Sequence, residues 1–118
     1  MHPLSFWQEA LARPLNALLV AESETSEVVG YALLCVHDTP DVPNVVPQRL
    51  ALLDHLAVHP TYRRAGYGSR LLEQAELEAK RLGARSVELR VWDFNVGALS
   101  LYEIHGYTGM MRRLIKRF

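Results

Sequence analysis

Apolar and polar positions change rhythm several times along the chain, and each change predicts a different element. Residues 4–12, LSFWQEALA, place apolar side chains at helical spacing before Arg13-Pro14. A proline pushes the residue before it out of the helical region, so a helix of about two turns is expected to end there. Ala17–Glu22 and Val28–Val36 are rich in Val and Leu and flank the polar run Ser-Glu-Thr-Ser-Glu, a pattern for an antiparallel hairpin. Gly30, near the start of the second strand, marks a bulge or a close backbone approach. Asp38–Gln48 holds Pro40, Pro43 and Pro47 and reads as a surface loop, long for a hairpin connection. Leu50–Val58 is an almost unbroken apolar run interrupted only by Asp54 and His55, as expected of a central strand covered on both faces.

After Gly68 the period becomes helical. Leu71, Leu72, Ala75, Ala79 and Leu82 form one stripe, Leu77 lies off it and should be exposed, and Gly83 stands where a helix ends. Ser86–Trp92 alternates, with Val87, Leu89 and Val91 facing one way and Glu88, Arg90 and Trp92 the other. That is a strand with one covered face. Asp93 or Asn95 can cap a further short helix reaching about His105, closed by Gly106. Tyr107–Phe118 then reads as a terminal strand or hairpin arm. The strand, crossover helix and strand between residues 50 and 92 make a right-handed βαβ unit with parallel strands. A mixed α+β fold follows, as one domain over residues 1–118 without internal repeats.

Composition narrows the function. With 118 residues, 49% of them hydrophobic, the chain can bury one core and is too short for two ordinary domains. Thirteen Lys plus Arg balance thirteen Asp plus Glu, so there is no global electrostatic reason to expect a nucleic acid or a membrane partner. Any anion site must be local. The basic run Arg112-Arg113-Leu114-Ile115-Lys116-Arg117 is better read as an edge strand with outward charges that discourage aggregation. The lone cysteine, Cys35, excludes an internal disulfide, fits a small buried apolar position and suits a reducing compartment. No apolar run approaches the ~18 residues of a membrane span, and no signal segment follows Met1, so a soluble cytoplasmic protein is expected.

One stretch could supply the local anion site. His59-Pro60-Thr61-Tyr62-Arg63-Arg64-Ala65-Gly66-Tyr67-Gly68-Ser69 gathers two arginines and two glycines immediately before the helix. The glycines let the backbone turn sharply and approach a ligand, and the helix start points unpaired N–H groups outward. Such a site wants an anion, and a diphosphate could use both the amides and the guanidinium groups. A Walker loop would need Gly-Lys-Ser or Gly-Lys-Thr where Gly68-Ser69-Arg70 stands. A Rossmann fingerprint would need a third glycine or alanine where Leu71 stands, and a strand running directly into the glycines.

The run Arg63-Arg64-Ala65-Gly66-Tyr67-Gly68 resembles the Arg/Gln-x-x-Gly-x-Gly/Ala signature of the GCN5-related N-acetyltransferases (GNAT). Leu56-Ala57-Val58-His59-Pro60 is similar to the strand that precedes it in that family, and Asn95, Ala98, Tyr102, Gly106 and Tyr107 match its Asn-x-x-Ala-x-x-x-Tyr-x-x-x-Gly-Phe element. The resemblance covers roughly residues 15 to 118 and rests on two ordered motifs. It implies a central mixed, mostly antiparallel sheet whose parallel pair splays at an acetyl-CoA site. It implies acetyl-CoA as cosubstrate, with the pyrophosphate on the N–H groups of Arg64, Ala65, Gly66, Tyr67, Gly68 and Ser69, beside Arg63. The pantetheine arm would pair like a strand with Leu56, Ala57 and Val58. Asn95 would touch the pantetheine side, and Tyr102 would approach the sulfur and protonate the leaving thiolate. Asp54 is the expected base for an amine acceptor, because an alkylamine is mostly protonated at neutral pH.

Plainer readings stand beside these. Asp54 could be a strand carboxylate paired to an arginine, Tyr102 a packed ring, Arg63 a solvated charge. His55 should face away from Asp54 and pack. His55 and His59 are four apart, a metal spacing on a helix but not on a strand, and no Glu follows His55, so no metal is expected. Trp7 and Trp92 read as packing residues. The family usually opens with a strand and one or two helices, and this sequence is expected to lack the first strand and helix. Phe6, Trp7, Leu11 and Leu15 then have less to pack against, which points to a homodimer with exchanged or shared elements. The function expected is transfer of an acetyl group to a primary amine of a small molecule or peptide. The alternatives are an acyl-CoA-binding regulatory module without a complete acceptor site, and a plain interaction domain.

Overall fold

The computed structural model describes residues 4–118. Helix α1 (Leu4–Ala12) leads to strands β1 (Ala17–Glu22), β2 (Val28–Asp38) and β3 (Arg49–Val58). Helix α2 (Tyr67–Arg81), the short strand β4 (Val87–Leu89) and helix α3 (Val96–Ile104) follow. The strands form one sheet in the order β1-β2-β3-β4, antiparallel from β1 to β3 and parallel between β3 and β4. This is the mixed α+β arrangement that the hydrophobic pattern predicts, with α2 as the crossover, and the sheet is mostly antiparallel as the resemblance implies.

The helical stripe holds α2 on the sheet. Leu71, Leu72, Ala75 and Ala79 are buried against Ala32, Leu34 and Val36 of β2 and Ala51 and Leu53 of β3. The alanines bring the helix axis close to the strands, and Leu77, off the stripe, is 56% exposed. Alternation sends Tyr31, Leu33 and Cys35 to the other face, where α1 lies. There the Trp7 ring centroid is 5.7 Å from Tyr31 and 5.4 Å from His55.

Gly30 serves both purposes expected of it. The β1–β2 register shifts beside it, and a Cβ on Gly30 would stand 2.8 Å from the Ala57 carbonyl oxygen. Arg49 pins the base of the long loop, donating to the Asp38 carboxylate at 2.8 Å and to the Leu82 carbonyl at 2.9 Å. The Arg49 hydrogen bond also holds the Asp38 carboxyl below its usual range.

Several expectations are corrected. On β3 only Ala51 and Leu53 are fully buried, because α1 buries none of its own residues and covers its face thinly. Cys35 is half-buried, and burial pushes its thiol upward, away from thiolate chemistry. Alternation over Ser86–Trp92 yields pairing only at Val87–Leu89. Tyr107–Phe118 forms no strand, since no described strand lies beside it.

Leu72→Ala should cost about 2–5 kcal/mol of stability, because its side chain is fully enclosed between helix and sheet. Leu77→Ala should stay within about 0.5 kcal/mol. Urea unfolding of the two variants checks the pair, and equal midpoints would reject this placement of the core.

Candidate functional site

The β3–β4 ladder is short. Ala51, Leu52 and Leu53 pair with Val87, Glu88 and Leu89, and among the described residues the ladder with β4 goes no further along β3. Peptide groups along a strand alternate in direction. His59 donates its N–H to the Val29 carbonyl on β2 at 2.7 Å, so Val58 and Leu56 present their N–H and C=O to the open side. Ala57 is turned to β2, opposite Tyr31.

A turn of 3-10 helix, Pro60–Tyr62, carries the chain from β3 to α2, with His59 Nδ1 accepting from the Thr61 N–H at 3.2 Å. Arg64 (φ 65°) and Gly66 (φ 86°) then adopt left-handed backbone, and Gly66 stands at the α2 N-cap with no side-chain cap. The consequence is a row of free donors. Among the described residues, the N–H groups of Arg64, Ala65, Gly66, Tyr67, Gly68 and Ser69 have no acceptor, and the first paired amide is Arg70, bonded to the Gly66 carbonyl at 3.1 Å. Left-handed geometry at a non-glycine residue is costly and clusters at ligand sites. Helix N-terminal amides attract anions. Gly68 faces the body of the protein: a Cβ there would lie 3.5 Å from Leu101 and 4.0 Å from Val58.

Side chains at this site are engaged in ways the sequence did not announce. Arg63 Nε donates to the Val58 carbonyl at 3.3 Å, so its guanidinium folds back on the open strand end. The Ser69 hydroxyl lies 3.2 Å from His105 Nε2, tying the start of α2 to the end of α3. Tyr62 reaches the Glu27 carboxylate at 3.2 Å and stacks edge-on with Tyr67, ring centroids 6.1 Å apart. The Ser69–His105 and Tyr62–Glu27 partners are 36 and 35 residues apart, and no local pattern could have paired them.

Asn95 caps α3 by accepting from the Ala98 N–H at 3.2 Å, which leaves its amide nitrogen as donor. Tyr102, on α3, is half-buried against the same core as Leu56 and Val58, 5.9 Å from the Tyr107 ring. Burial pushes the Tyr102 hydroxyl above its ordinary range, so it is held protonated. Tyr107 is fixed by donating to the Glu76 carboxylate at 2.9 Å.

Asp54 sits at a bulge. Leu34 pairs with Leu53 and Leu33 with His55, so Asp54 is the residue left without a cross-strand partner. The expectation that His55 faces away from Asp54 fails for this reason. His55 Nε2 is 3.7 Å from the Asp54 carboxylate, while its ring packs among Phe6, Trp7 and Tyr31. No arginine pairs with Asp54 among the described residues. Among those residues, too, no three His, Cys, Asp or Glu side chains gather as a metal site, and no helix is long and apolar enough to cross a membrane.

Known proteins share this fold and sequence pattern. The sequence profile of the acetyltransferase (GNAT) family matches residues 1–107. The uncharacterized N-acetyltransferase YhfO of Bacillus subtilis (strain 168) is 34% identical over 103 residues, which is 87% of this chain and 66% of YhfO's length. The crystal structure of a tetramutant of the BH1408 protein from Bacillus halodurans superimposes with a TM-score of 0.92 at 23% identity, covering 100% of this chain and 76% of that one. The aminoglycoside N-acetyltransferase AAC(6')-Iy, solved in complex with CoA, superimposes with a TM-score of 0.80 at 17% identity, over 98% of this chain and 84% of its own. With a profile match across most of its length and both ordered motifs on the elements they require, this chain belongs to the acetyltransferase (GNAT) family.

Proposed function

We propose that the chain transfers an acetyl group from acetyl-CoA to a primary amine of a small molecule or peptide. The observation that carries this reading is the free β3 edge lying next to the unpaired amides of Arg64–Ser69. An extended pantetheine can pair with Leu56 and Val58 as a strand would, while its diphosphate meets the helix start. Arg63 contributes charge beside it, exchanging its bond to the Val58 carbonyl for the phosphate or keeping it through Nε alone. Asn95 offers its amide nitrogen to the pantetheine side. Adjacency of the two resources supports acetyl-CoA over a free nucleotide, which would use only the second.

In the reaction the amine nitrogen attacks the thioester carbonyl and the CoA thiolate leaves. Asp54 takes the proton that the ammonium must lose; its unpaired place on the bulge, at the mouth of the splay, supports the role. The Leu56 N–H faces the open side and can bind the developing oxyanion. Tyr102, held protonated by burial, returns a proton to the sulfur. The acceptor remains defined by its amine, and the cytoplasm, where the lone half-buried thiol stays reduced, is the compartment this reading favours.

Gly66→Val places a branched side chain at φ 86° and should weaken acetyl-CoA binding about tenfold in a calorimetric titration. Unchanged affinity would reject the loop as the diphosphate site. Binding without thiol release across a panel of amines would favour the alternative, an acyl-CoA-binding regulatory module lacking a complete acceptor site.

Tyr102→Phe and Asp54→Asn should each lower kcat about 10²–10⁴-fold with KM for acetyl-CoA little changed. The phenol acts while protonated, and burial raises its pKa, so the Tyr102-dependent loss of kcat should begin only above the ordinary tyrosine value of about 10. A pH–rate profile shows whether that alkaline limb disappears in Tyr102→Phe; parental kinetics in the variant would remove Tyr102 from the chemistry.

A further inference from the structure

Among the residues whose amides form the cradle at the start of α2, Ser69 is the one that carries a hydroxyl on its Cβ, next to its own unpaired N–H. A serine inside a helix can bond back to the carbonyl four residues earlier. Here that residue is Ala65, which lies in the loop before the helix. Among the described residues the Ser69 hydroxyl is instead joined to His105, with Oγ 3.2 Å from Nε2, across 36 residues of sequence. Both side chains are half-buried, so water competes less for the bond.

His105 has little freedom at that end of the molecule. It closes α3, with its N–H bonded to the Leu101 and Tyr102 carbonyls at 3.2 and 3.1 Å. Gly106 then turns the chain at φ 90°, and Tyr107 donates from its hydroxyl to the Glu76 carboxylate at 2.9 Å. Glu76 lies about two turns beyond Ser69 on the same face of α2. Two side chains from the end of α3 therefore hold two positions on one helix face. Together the two bonds present Nε2 to the start of α2 rather than to solvent.

Hydrogen-bond chemistry then decides where the protons go. A serine hydroxyl has one proton to give and two lone pairs. Neutral imidazole gives from one nitrogen and accepts at the other, so the Ser69–His105 bond can run in either direction. If Ser69 donates to Nε2, its lone pairs face the cradle and oppose an anion. If Nε2 carries the proton and donates, the serine proton is free for a phosphate oxygen, beside the Ser69 N–H. Phosphate oxygens accept, so an anion in the cradle favours the second arrangement.

We propose that His105 is a positioning residue for the cofactor, donating from Nε2 to Ser69 so that the serine hydroxyl and N–H act together on the diphosphate of acetyl-CoA. The inference rests on the reading of Arg64–Ser69 as the diphosphate site. It adds one charge-assisted hydrogen bond to those of the amides and places its control on α3, outside the loop. The side chain required at 105 is one that donates at the reach of Nε2. Glutamine meets that requirement, because its amide nitrogen stands as many bonds from the backbone as Nε2 does. Asparagine falls short, reaching only as far as Nδ1.

Calorimetric titration with acetyl-CoA compares the parent with Ser69→Ala, His105→Gln and His105→Asn, each first shown by circular dichroism to be folded. Ser69→Ala should weaken binding about tenfold, the scale of one hydrogen bond to a charged group. His105→Asn should weaken it to a similar extent, and His105→Gln by less than about twofold. Combining His105→Asn with Ser69→Ala should cost no more than Ser69→Ala alone, since a residue acting through another has no effect once the other is gone. Equal affinities for the Gln and Asn variants, or losses that add in the double variant, would overturn the role of His105 and leave the diphosphate site standing. A folded parent that does not bind acetyl-CoA would overturn the site and the inference together. The tautomer supplies a readout in the unsubstituted protein. In two-bond proton–nitrogen spectra of the parent bound to acetyl-CoA, the His105 ring, identified by its loss in His105→Gln, should carry its proton on Nε2. A ring protonated at Nδ1 alone would overturn the proposal.

Discussion

Parallel pairing of β3 with β4 obliges the chain to cross the sheet, and here the crossover is a left-handed loop followed by α2. Packing of Leu71, Leu72, Ala75 and Ala79 on β2 and β3 fixes where α2 begins relative to the strand it follows. Because the ladder stops after Leu53, the far half of β3 keeps an unpaired edge beside the uncapped amides of the helix start. Neither feature alone would suggest a ligand; helix starts and strand edges are common. Their adjacency depends on one stripe of small and branched side chains that seats the helix over the splay. Gly30 belongs to the same constraint, since any side chain there would collide with the Ala57 carbonyl and spread β2 from β3 at the level of the site.

Most of the fold was legible because it is written in local periods. The α2 stripe, the β1–β2 hairpin, the loop of prolines and the Asn95 cap each depend on residues within a few positions of one another, and each stands close to where the pattern put it. What escaped was set by distant pairings. Alternation places His55 opposite Asp54 only while a strand is regular, and the bulge between Leu53 and His55 resets it. The bulge is visible only in the pairing of β3 with Leu33 and Leu34 of β2, about twenty residues earlier, and leaves no mark in the composition of β3. Alternation at Ser86–Trp92 and the strand pattern after Tyr107 are signals that the observed sheet fulfils only in part, because a strand is completed by its neighbour rather than by its own sequence.

The candidate site was legible to the same degree. Glycines before a helical stripe announced the turn and the row of unpaired amides at the start of α2, since that backbone geometry favours glycine locally. The contacts that stiffen it were not announced. Ser69 with His105, Tyr107 with Glu76 and Tyr62 with Glu27 join the cradle to α3 and to the hairpin, each across 31 to 36 residues of sequence. Those links are polar and peripheral, so hydrophobic periodicity is blind to them. They nevertheless determine which side chains remain available: Ser69 and Asn95 are partly engaged within the protein, and their remaining capacity is one donor or acceptor rather than a full complement.

The bulge also ties the two halves of the proposed chemistry together. If β3 ran without it, Asp54 would pair across to β2 and the residues beyond would change faces, moving Leu56 and Val58 away from α2. One extra residue therefore frees a carboxylate at the start of the splay. It also keeps the following apolar side chains on the helix side, with their peptide groups turned to the open edge. The proposed base and the proposed cofactor edge both follow from a single register shift, and neither can be moved without the other. The aromatic packing of His55 against α1 then acts on the same point from the opposite face, so that α1, though thinly packed, bears on the position of Asp54 through its neighbour.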